Sequence, residues 1–320
     1  MKEQVLARLA AARGAALSGE ILAEGLGVSR AAVWKAVKEL QKQGYSIEAV
    51  PATGYALRPG GPVLCAEEVR AWLADPAVEV SAQPVTDSTN LTAKAMGAAG
   101  APSGSLAVAD RQTAGRGRRG RSFASPPGTG LYLSVVLRSA LPMGSAALVT
   151  SAAAVAVCRA VQAVGGPALS IKWVNDLYTA EGKKCCGILT EAVADLESGG
   201  VDYLVVGMGL NLHTPAGGFP EELRDIAGAI FPEGETVDRA RLAAEITNQL
   251  AALAGALPAA PFMEEYRARN IVPGRDILIV QNGEKRPAHA EAITDDGHLL
   301  VTTAAGREEL SYGEVSIRFE

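Results

Sequence analysis

The stretch that most constrains the fold is a glycine–arginine segment in the middle of the chain. Residues 115–121 hold four arginines and three glycines in seven positions. An apolar run at 106–109 predicts a strand before it, and Ser-Pro-Pro-Gly-Thr-Gly at 125–130 cannot continue a helix. Glycine lets the backbone approach a ligand closely, and arginine offers a planar fork that fits phosphate and carboxylate. The segment therefore predicts a flexible cationic loop that closes over a small anionic ligand.

The same segment allows other interpretations. Gly115, Gly117 and Gly120 spell G-x-G-x-x-G, but a dinucleotide fold needs that motif to open a helix, and here a Pro-Pro-Gly turn follows. No Gly-Lys-Ser or Gly-Lys-Thr follows, which argues against a P-loop. Taken alone, the segment could also be a solvated basic patch or a nucleic-acid tail.

Length and composition bound the architecture. A chain of 320 residues that is 48% apolar can form two or three domains with a large core. Its four cysteines show no C-x-x-C spacing and no signal peptide precedes them, so we expect reduced thiols in the cytoplasm rather than disulfides or zinc. The longest uncharged run, residues 139–158, predicts a strand end, a turn and a buried helix, not a membrane span.

Charge is distributed unevenly along the chain. Residues 1–60 carry eight Lys or Arg and five Asp or Glu, whereas the whole chain has a net charge of −5. A basic module therefore precedes a body with a net charge of −8. This separation suggests different partners for the two parts.

The basic module has the pattern of a helix-turn-helix. Ser18 is placed to cap a short helix that ends at Leu26, and Ser29 to cap a second helix over residues 30–43. A tight turn at 27–28 joins them. In the second helix an apolar stripe faces inward, and we expect polar and aromatic residues at its start to enter a DNA major groove. The candidate DNA-contacting residues are Ser29, Arg30, Ala31, Trp34, Lys35 and Lys38.

A short hairpin completes this module. Residues 45–50 and 55–57 predict two strands joined by a Pro-Ala-Thr-Gly turn, which is typical of the wing of a winged helix. The alternative is a three-helix module that binds protein rather than DNA. Residues 58–62, Arg-Pro-Gly-Gly-Pro, predict a linker.

The remainder predicts a mixed α/β region followed by a small β region. We expect strands near 78–85, 106–109, 131–137, 171–178, 182–189 and 203–211, with helices near 66–73, 88–96, 146–164 and 239–257. After residue 270, short strands with turns at 282–283, 296–297 and 306 predict a small all-β barrel. The overall fold class is multidomain α+β.

Four polar clusters lie in the mixed region: Asp87-Ser88-Thr89-Asn90, the loop that begins at Gln112, Lys172-Trp173-Val174-Asn175-Asp176, and Lys183-Lys184. Each alone could be a helix cap, a turn or a basic patch. The three histidines are scattered, no Ser-His-Asp spacing exists, and no His or Cys cluster predicts a metal site. These clusters favour phosphate chemistry without a tightly held protein metal.

Taken in order, the four clusters resemble those of biotin–protein ligases, and the N-terminal module resembles that of the bifunctional ligase and biotin operon repressors. The resemblance covers essentially the whole chain. It implies a winged helix-turn-helix over residues 1–60, a catalytic domain similar to class II synthetases over 65–270, and an SH3-like β-barrel over 271–320. Two departures occur: Val174 stands where the family usually has proline, and Cys185-Cys186 where it has an apolar and a small residue. The second leaves open whether Lys183 or Lys184 is functional, although spacing to Gly187 favours Lys184.

The resemblance also implies an activity. ATP and biotin, with Mg²⁺ accompanying ATP, would form biotinyl-5′-adenylate, and a lysine of a biotin carboxyl carrier protein would then take the biotin. Implied catalytic residues are Lys184, Asp176 and Arg118. Implied biotin-binding residues are Ser88, Thr89, Asn90, Gln112, Arg116, Gly117, Arg118 and Lys184, with Trp173 as an apolar wall. Implied ATP- or adenylate-binding residues are Arg118, Arg119, Arg121, Lys172, Asn175, Asn211 and Arg318.

The repressor resemblance further implies operator DNA as a partner of residues 1–60 and a ligand-promoted homodimer, with no membrane partner. Three alternatives remain at this point: a ligase without a repressor role, a lipoate-type ligase, and a ligand-sensing repressor without chemistry. The last would need neither Lys184 nor Asp176.

Overall fold

The computed structural model describes residues 1–138, 146–194, 200–281, 284–311 and 316–319, the last range by its backbone alone. Its N-terminal elements are α1 (Lys2–Ala11), α2 (Gly19–Leu26), α3 (Arg30–Lys42), β1 (Ile47–Val50) and β2 (Gly54–Leu57). Ser18 Oγ accepts a hydrogen bond from Ile21 N at 3.0 Å, and Ser29 Oγ accepts from Ala32 N at 3.2 Å. Both predicted N-caps therefore start their helices. Strands β1 and β2 pair antiparallel as the predicted hairpin.

This winged helix-turn-helix has its own core. Val33, Val37 and Leu40 on α3 pack with residues of α1 and α2 in a cluster of their own, which Cys65, beyond the hairpin, also joins. The turn between α2 and α3 uses Gly27 at φ 64°, a left-handed conformation that glycine adopts without strain. Burial of the apolar stripe leaves the opposite face of α3 exposed.

A seven-stranded mixed sheet forms the centre of the protein, in the order β3-β4-β5-β9-β8-β7-β6. Its strands are β3 (Val80–Thr86), β4 (Leu106–Gln112), β5 (Gly130–Leu137), β6 (Ser170–Lys172), β7 (Asp176–Tyr178), β8 (Lys184–Ala194) and β9 (Val201–Asn211). Only the β3–β4 pairing is parallel; every other neighbouring pair runs antiparallel. The mixed α/β region that the sequence predicts is therefore organised around one sheet.

Helices cover both faces of this sheet. They are α4 (Ala66–Trp72), α5 (Thr89–Ala98), α6 (Ala146–Ala163), α7 (Arg239–Gly255) and α8 (Met263–Arg269). Ala107 and Val205 pack with α5, whereas their strand neighbours Val108 and Val206 face the larger core that contains α6 and α7. Alternate residues of one strand point to opposite faces, which explains why the strands are apolar throughout.

Helix α6 is long and apolar enough to cross a membrane by composition, but 78% of it is buried inside the fold. It packs between the sheet and α7 and supplies much of the main core. The predicted buried helix is thus a core helix, while the strand end and turn predicted at 139–145 lie outside the described residues.

The prediction of one strand over residues 171–178 is wrong. Lys172 pairs with Asp176 across a turn of three residues, so the segment forms the hairpin β6–β7. No glycine or proline marks this turn, which is why the sequence pattern does not show it. Because β7 then pairs with β8, Asp176 lies opposite Gly187 and close to the start of β8.

The C-terminal segment forms a five-stranded antiparallel sheet in the order β13-β12-β11-β10-β14. Its strands are β10 (Asp276–Gln281), β11 (Glu284–Ile293), β12 (Leu299–Thr303), β13 (Gly306–Leu310) and β14 (Ser316–Phe319). Turns occur at Gly297 and Gly306 as expected, whereas residues 282–283 lie outside the described ranges. Within those ranges the edge strands β13 and β14 are not paired, so the sheet is not closed.

Contacts join the three parts. Trp173 Nε1 donates a hydrogen bond to Gly297 O at 2.9 Å, and the apolar side chains of the C-terminal sheet belong to the main core. Arg13 Nη2, beyond the end of α1, donates to Ala71 O at 2.6 Å, and its guanidinium lies 4.3 Å from the Trp72 ring centroid. The winged helix therefore docks on α4 through an arginine–tryptophan stack.

Candidate functional site

A cavity of about 150 Å³ lies on the face of the sheet that carries α5. Strands β8 and β9 form its floor, the N-terminus of α5 forms one end, and residues 116–123 form its roof. The cavity brings together most of the sequence-predicted site residues, although they come from five separate segments. Those on its wall are Ser88, Thr89, Asn90, Gln112, Arg116, Gly117, Arg118, Arg119, Arg121, Asn175, Asp176 and Lys184.

One end of the cavity is a hydrogen-bonded group of neutral polar side chains. Gln112 Oε1 accepts from Thr89 N at 2.9 Å and lies 3.2 Å from Thr89 Oγ1. Ser134 Oγ donates to Asn90 Oδ1 at 2.6 Å and lies 2.7 Å from Thr89 Oγ1. Ser88 occupies the N-cap position of α5, but its side chain makes no capping bond. This end can therefore recognise an uncharged ligand group rich in donors and acceptors.

Glycines on the floor make room for this arrangement. A Cβ at Gly207 would lie 1.9 Å from Asn90 Oδ1, and one at Gly209 would lie 2.6 Å from the Phe123 ring. Phe123 packs edge-on against Tyr132 with ring centroids 6.4 Å apart. The sequence analysis missed these glycines and Phe123, although two glycines at alternate positions of a strand indicate close approach by another group.

The arginine loop forms the roof through contacts with three different elements. Arg118 Nη1 donates to Asn175 Oδ1 at 2.8 Å, Arg119 Nη1 donates to Val280 O at 3.2 Å, and Arg116 Nη2 lies 3.4 Å from Glu191 Oε1. A Cβ at Gly115 would lie 2.3 Å from Phe123 O, so the backbone crosses itself closely there. The loop thus places four guanidinium groups around one cavity.

Lys184 and Asp176 form the charged end of the cavity. Their Nζ and Oδ1 atoms are 2.7 Å apart, and both side chains are mostly buried. Lys183 points elsewhere, since its Nζ donates to Asp225 O in the loop before α7. The geometry therefore places Lys184, and not Lys183, on the cavity wall.

A second cavity, of about 700 Å³, adjoins the first. The two share Arg121, Ser122, Phe123 and Lys184, and the second is otherwise lined by parts of residues 124–129, by Asn211 and by parts of residues 215–227. Lys184 therefore stands where the two cavities meet. Asn211, predicted to contact a nucleotide, lines the second cavity only.

Three predicted residues lie elsewhere. Trp173 is 4% exposed and bonds to Gly297 O in the core, so the expectation that it walls the ligand is wrong. Lys172 is absent from the walls of both cavities and lies with its Nζ 5.7 Å from the Tyr178 ring centroid. The backbone of Arg318 pairs with Leu278, while its side chain lies outside the described residues.

The cysteines carry no reactivity at this site. All four are buried free thiols, and burial raises the pKa of Cys158 and of Cys185 to about 12. They stay protonated at neutral pH and act as small apolar side chains. Within the described ranges, no group of three or more His, Cys, Asp or Glu side chains is placed to hold a metal ion.

The second candidate surface is the outer face of α3. Ser29, Arg30, Ala31, Trp34, Lys35 and Lys38 are all exposed there. Trp34 is 55% exposed, which is unusual for so large an apolar side chain. Together with the wing, this face has the shape and charge of a recognition helix that enters a DNA major groove.

Fold and site together define a class: a protein that combines a winged helix-turn-helix with a cavity of small-molecule size beneath a cationic loop, beside a second cavity large enough for a nucleotide. Comparison with known proteins identifies the family. Residues 82–211 match the Biotin/lipoate A/B protein ligase family, residues 2–56 match an HTH domain, and residues 274–318 match the Biotin protein ligase C terminal domain.

Relatives span the same architecture. The Bifunctional ligase/repressor BirA of Escherichia coli is 31% identical over 96% of this chain and 94% of its own length. That of Bacillus spizizenii is 41% identical over 70% of this chain and 69% of its own. The structure of biotin protein ligase from Aquifex aeolicus in complex with biotin and ATP has a TM-score of 0.63 at 26% identity, covering 76% of this chain and 99% of that one. The chain belongs to the biotin protein ligase family.

Proposed function

We propose that the protein is a bifunctional biotin–protein ligase and biotin-responsive repressor. The observation that carries the ligase activity is the position of Lys184 and Arg121 on the shared wall of two adjoining cavities. A carboxylate in the first cavity and a triphosphate in the second would repel each other, so fixed cations must hold both. ATP would enter as its Mg²⁺ complex, and the ion would offset the negative charge of the phosphates while Lys184 and Arg121 hold the anionic groups.

The reaction has two steps. A carboxylate oxygen of biotin attacks the α-phosphorus of ATP, the bond to the β-phosphate oxygen breaks, and pyrophosphate leaves. The amine of an acceptor lysine then attacks the carbonyl carbon of the biotinyl-5′-adenylate, loses a proton, and AMP leaves. The acceptor is a lysine of a biotin carboxyl carrier protein.

The polar end of the first cavity fits the ureido ring of biotin. Ser88, Thr89, Asn90 and Gln112 present donors and acceptors there, and the backbone of Arg116 and Gly117 closes the roof. Arg118, Arg119 and Arg121 face the adenylate, with Asn175 holding Arg118 and Asn211 lining the nucleotide side. A charge-assisted hydrogen bond contributes roughly 1.5–3 kcal/mol, so several together retain the adenylate strongly.

Two residues have distinct roles in catalysis. Lys184 stabilises the charge that develops between the carboxylate and the α-phosphate. The acceptor lysine, with a pKa of about 10.4, is only about one part in 2,500 neutral at pH 7, so it needs a proton acceptor. Asp176, 2.7 Å from Lys184, is the carboxylate on the cavity wall that takes this proton. The arginine loop excludes water from the adenylate, a mixed anhydride that hydrolyses easily.

The winged helix-turn-helix gives the second activity. Adenylate orders the loops around the cavity, a homodimer forms in the cytoplasm, and two α3 helices enter successive major grooves of an operator. The functional units are residues 1–60, 65–270 and 271–320, the last related to SH3-like barrels.

Mass spectrometry of the products from biotin and ATP tests the ligase. Biotinyl-5′-adenylate and pyrophosphate are expected, and their absence would remove the proposal. Competition between biotin and lipoate in the same assay separates a biotin ligase from a lipoate-type ligase. A gel shift with operator-region DNA, with and without both substrates, tests the repressor, and equal shifts for wild type and the K35A/K38A variant would contradict DNA binding by α3.

A further inference from the structure

Glu191 is a partly buried carboxylate that lies just behind the first cavity. It follows Leu189 by two residues on β8, so both side chains point to the same face of the sheet. Leu189 reaches the cavity wall, but Glu191 does not. Its side chain is 18% exposed, which is unusual for a glutamate unless partners compensate its charge.

Three donors from two elements surround this carboxylate. Asn90 Nδ2 donates to Glu191 Oε2 at 2.8 Å, and Lys94 Nζ donates to Oε1, also at 2.8 Å. Asn90 and Lys94 are one turn apart on α5, which places both over β8. Arg116 Nη2 of the arginine loop lies 3.4 Å from the same Oε1. Glu191 thus joins the helix that begins at the cavity to the loop that covers it.

The direction of the hydrogen bonds shows how this carboxylate orients its neighbours. A carboxylate only accepts, so Asn90 must present its amino group to Glu191 and its oxygen to Ser134. Ser134 uses its one hydroxyl proton in the bond to Asn90, so Thr89 Oγ1 donates to Ser134 Oγ across the 2.7 Å that separates them. Gln112 is oriented independently, since its Oε1 accepts from the backbone Thr89 N at 2.9 Å. One acceptor-only group therefore sets the polarity of three consecutive side chains, those of Asn90, Ser134 and Thr89.

We propose that Glu191 is a positioning residue for biotin: it fixes the donor–acceptor pattern that meets the ureido ring and tethers the arginine loop to that pattern through Arg116. This inference rests on the proposed biotin adenylation. It predicts that neutralising Glu191 weakens biotin binding and loop closure together, while the chemistry at Lys184 is spared.

The electrostatic surroundings support an anionic Glu191. Burial alone would raise the pKa of its carboxyl, but hydrogen bonds from Asn90 and Lys94 and the charges of Lys94 and Arg116 lower the pKa below its ordinary value. The group is therefore ionised at neutral pH, as the hydrogen-bond polarity requires. Lys94 supplies charge but takes no part in the series of side chains that leads to the cavity.

The test compares E191Q with two control variants of the full chain. D202N neutralises a carboxylate on β9 that pairs with Arg138 at 3.0 Å and lies away from the cavity. K94M removes a partner of Glu191 but leaves Asn90 and Arg116 in contact with it. Pyrophosphate release gives kcat and KM for biotin and for ATP. Trypsin cleavage within residues 116–121, with biotin at ten times each variant's KM, reports loop closure.

For E191Q we expect the KM for biotin to rise about tenfold or more, from the loss of a hydrogen bond to a charged group. Its kcat and KM for ATP should stay within about twofold, and tryptic cleavage of the biotin-bound loop should accelerate. D202N should match the wild type, and K94M should raise the KM for biotin by less than about threefold. An unchanged KM for biotin in E191Q, or an equal rise in E191Q and K94M, would overturn the inference. If the wild type makes no adenylate, it is the proposed function that fails.

Discussion

Lys184 Nζ lies 2.7 Å from Asp176 Oδ1, at the junction of the two cavities. Lys184 lines both cavities, whereas Asp176 lines only the first. The hairpin β6–β7 brings them together, because its second strand carries Asp176 and pairs with the strand that begins at Lys184. A cation and a carboxylate thus stand side by side where the proposed acid activation and lysine acylation would occur.

Replacing Lys184 with methionine should abolish the first step while the fold survives. Loss of a fixed charge at the developing anion should slow adenylate formation at least about 100-fold. The matched control is K183M, since Lys183 bonds to Asp225 O outside both cavities and its loss should change the rate less than about twofold. Pyrophosphate release measures the rate. Equal rates for the two variants would contradict the assignment of Lys184.

Replacing Asp176 with asparagine should separate the two steps. Adenylation needs no base at this position, so we expect the D176N variant to form adenylate at near the wild-type rate. Transfer to the acceptor lysine should slow about 100-fold, the range of a lost general base. Single-turnover transfer from purified adenylate isolates the second step. Retention of both rates would show that Asp176 is not the proton acceptor.

Replacing Gly209 with alanine should impair ligand binding more than folding. The added Cβ would lie 2.6 Å from the Phe123 ring, which packs against Tyr132 and cannot move freely. We expect biotin affinity to fall about tenfold as the ring is pushed into the cavity. The control is G255A in α7, where no atom lies within 4 Å of the added Cβ. That change should leave binding intact and stabilise the helix by roughly 0.5–1 kcal/mol. Isothermal titration and urea unfolding measure the two effects.

Arg239 should be a large contributor to stability. Its guanidinium is nearly buried, pairs with Asp110 at the base of the arginine loop, and donates to Pro62 O of the linker at 2.8 Å. Removing it in R239A leaves the Asp110 carboxylate without its charged partner and should cost about 3 kcal/mol. The control D295A removes a carboxylate that is 94% exposed and should cost under about 1 kcal/mol. Similar urea midpoints for the two variants would refute the argument.

Glu68 should make stability depend on pH. Burial raises the pKa of its carboxyl from 4.5 to about 7, with Asp238 adding to the shift while Cys65 and Arg239 oppose it. The folded state therefore holds a proton that the unfolded chain releases near pH 4.5. This contribution is fully present below pH 4.5 and is lost as pH rises through about 7. Relative to wild type, E68Q should gain stability between pH 5 and 8, measured by thermal unfolding. A constant difference across this range would contradict the ionisation of Glu68.

Local signals in the sequence predicted local structure well. Ser18 and Ser29 start their helices because a side-chain cap acts within three residues. The turn between β6 and β7 was missed because its residues carry no glycine or proline. The position of Trp173 was predicted wrongly because an amphipathic ring fits a ligand-binding wall and a protein core equally well. Its place in the core depends on the hydrogen bond to Gly297 O, which the sequence does not reveal.

The residues of the cavity also divide into those that a local motif predicts and those that only the packing reveals. The order of the motifs predicts that Lys184 and the arginines lie at one site, because the family pattern keeps their spacing. Glu191 carried no such signal: its partners lie about 100 and 75 positions earlier in the chain, at Asn90 and Arg116. Contacts over such distances depend on sheet register, and a one-residue slip of β8 would turn Glu191 to the opposite face.

The distribution of the apolar cores determines which parts of the chain can be exchanged as units. Residues of the winged helix form one cluster, whereas the C-terminal sheet shares its cluster with the central sheet. We therefore expect that exchange or deletion of the winged helix disturbs the remaining core less than loss of the C-terminal sheet, and that its main effect is to expose Cys65 and the face of α4 that contacts α1. The C-terminal sheet cannot be exchanged in this way. Its apolar side chains are part of the main core, so each side chain of a replacement would have to fit the residues of the central domain that it contacts.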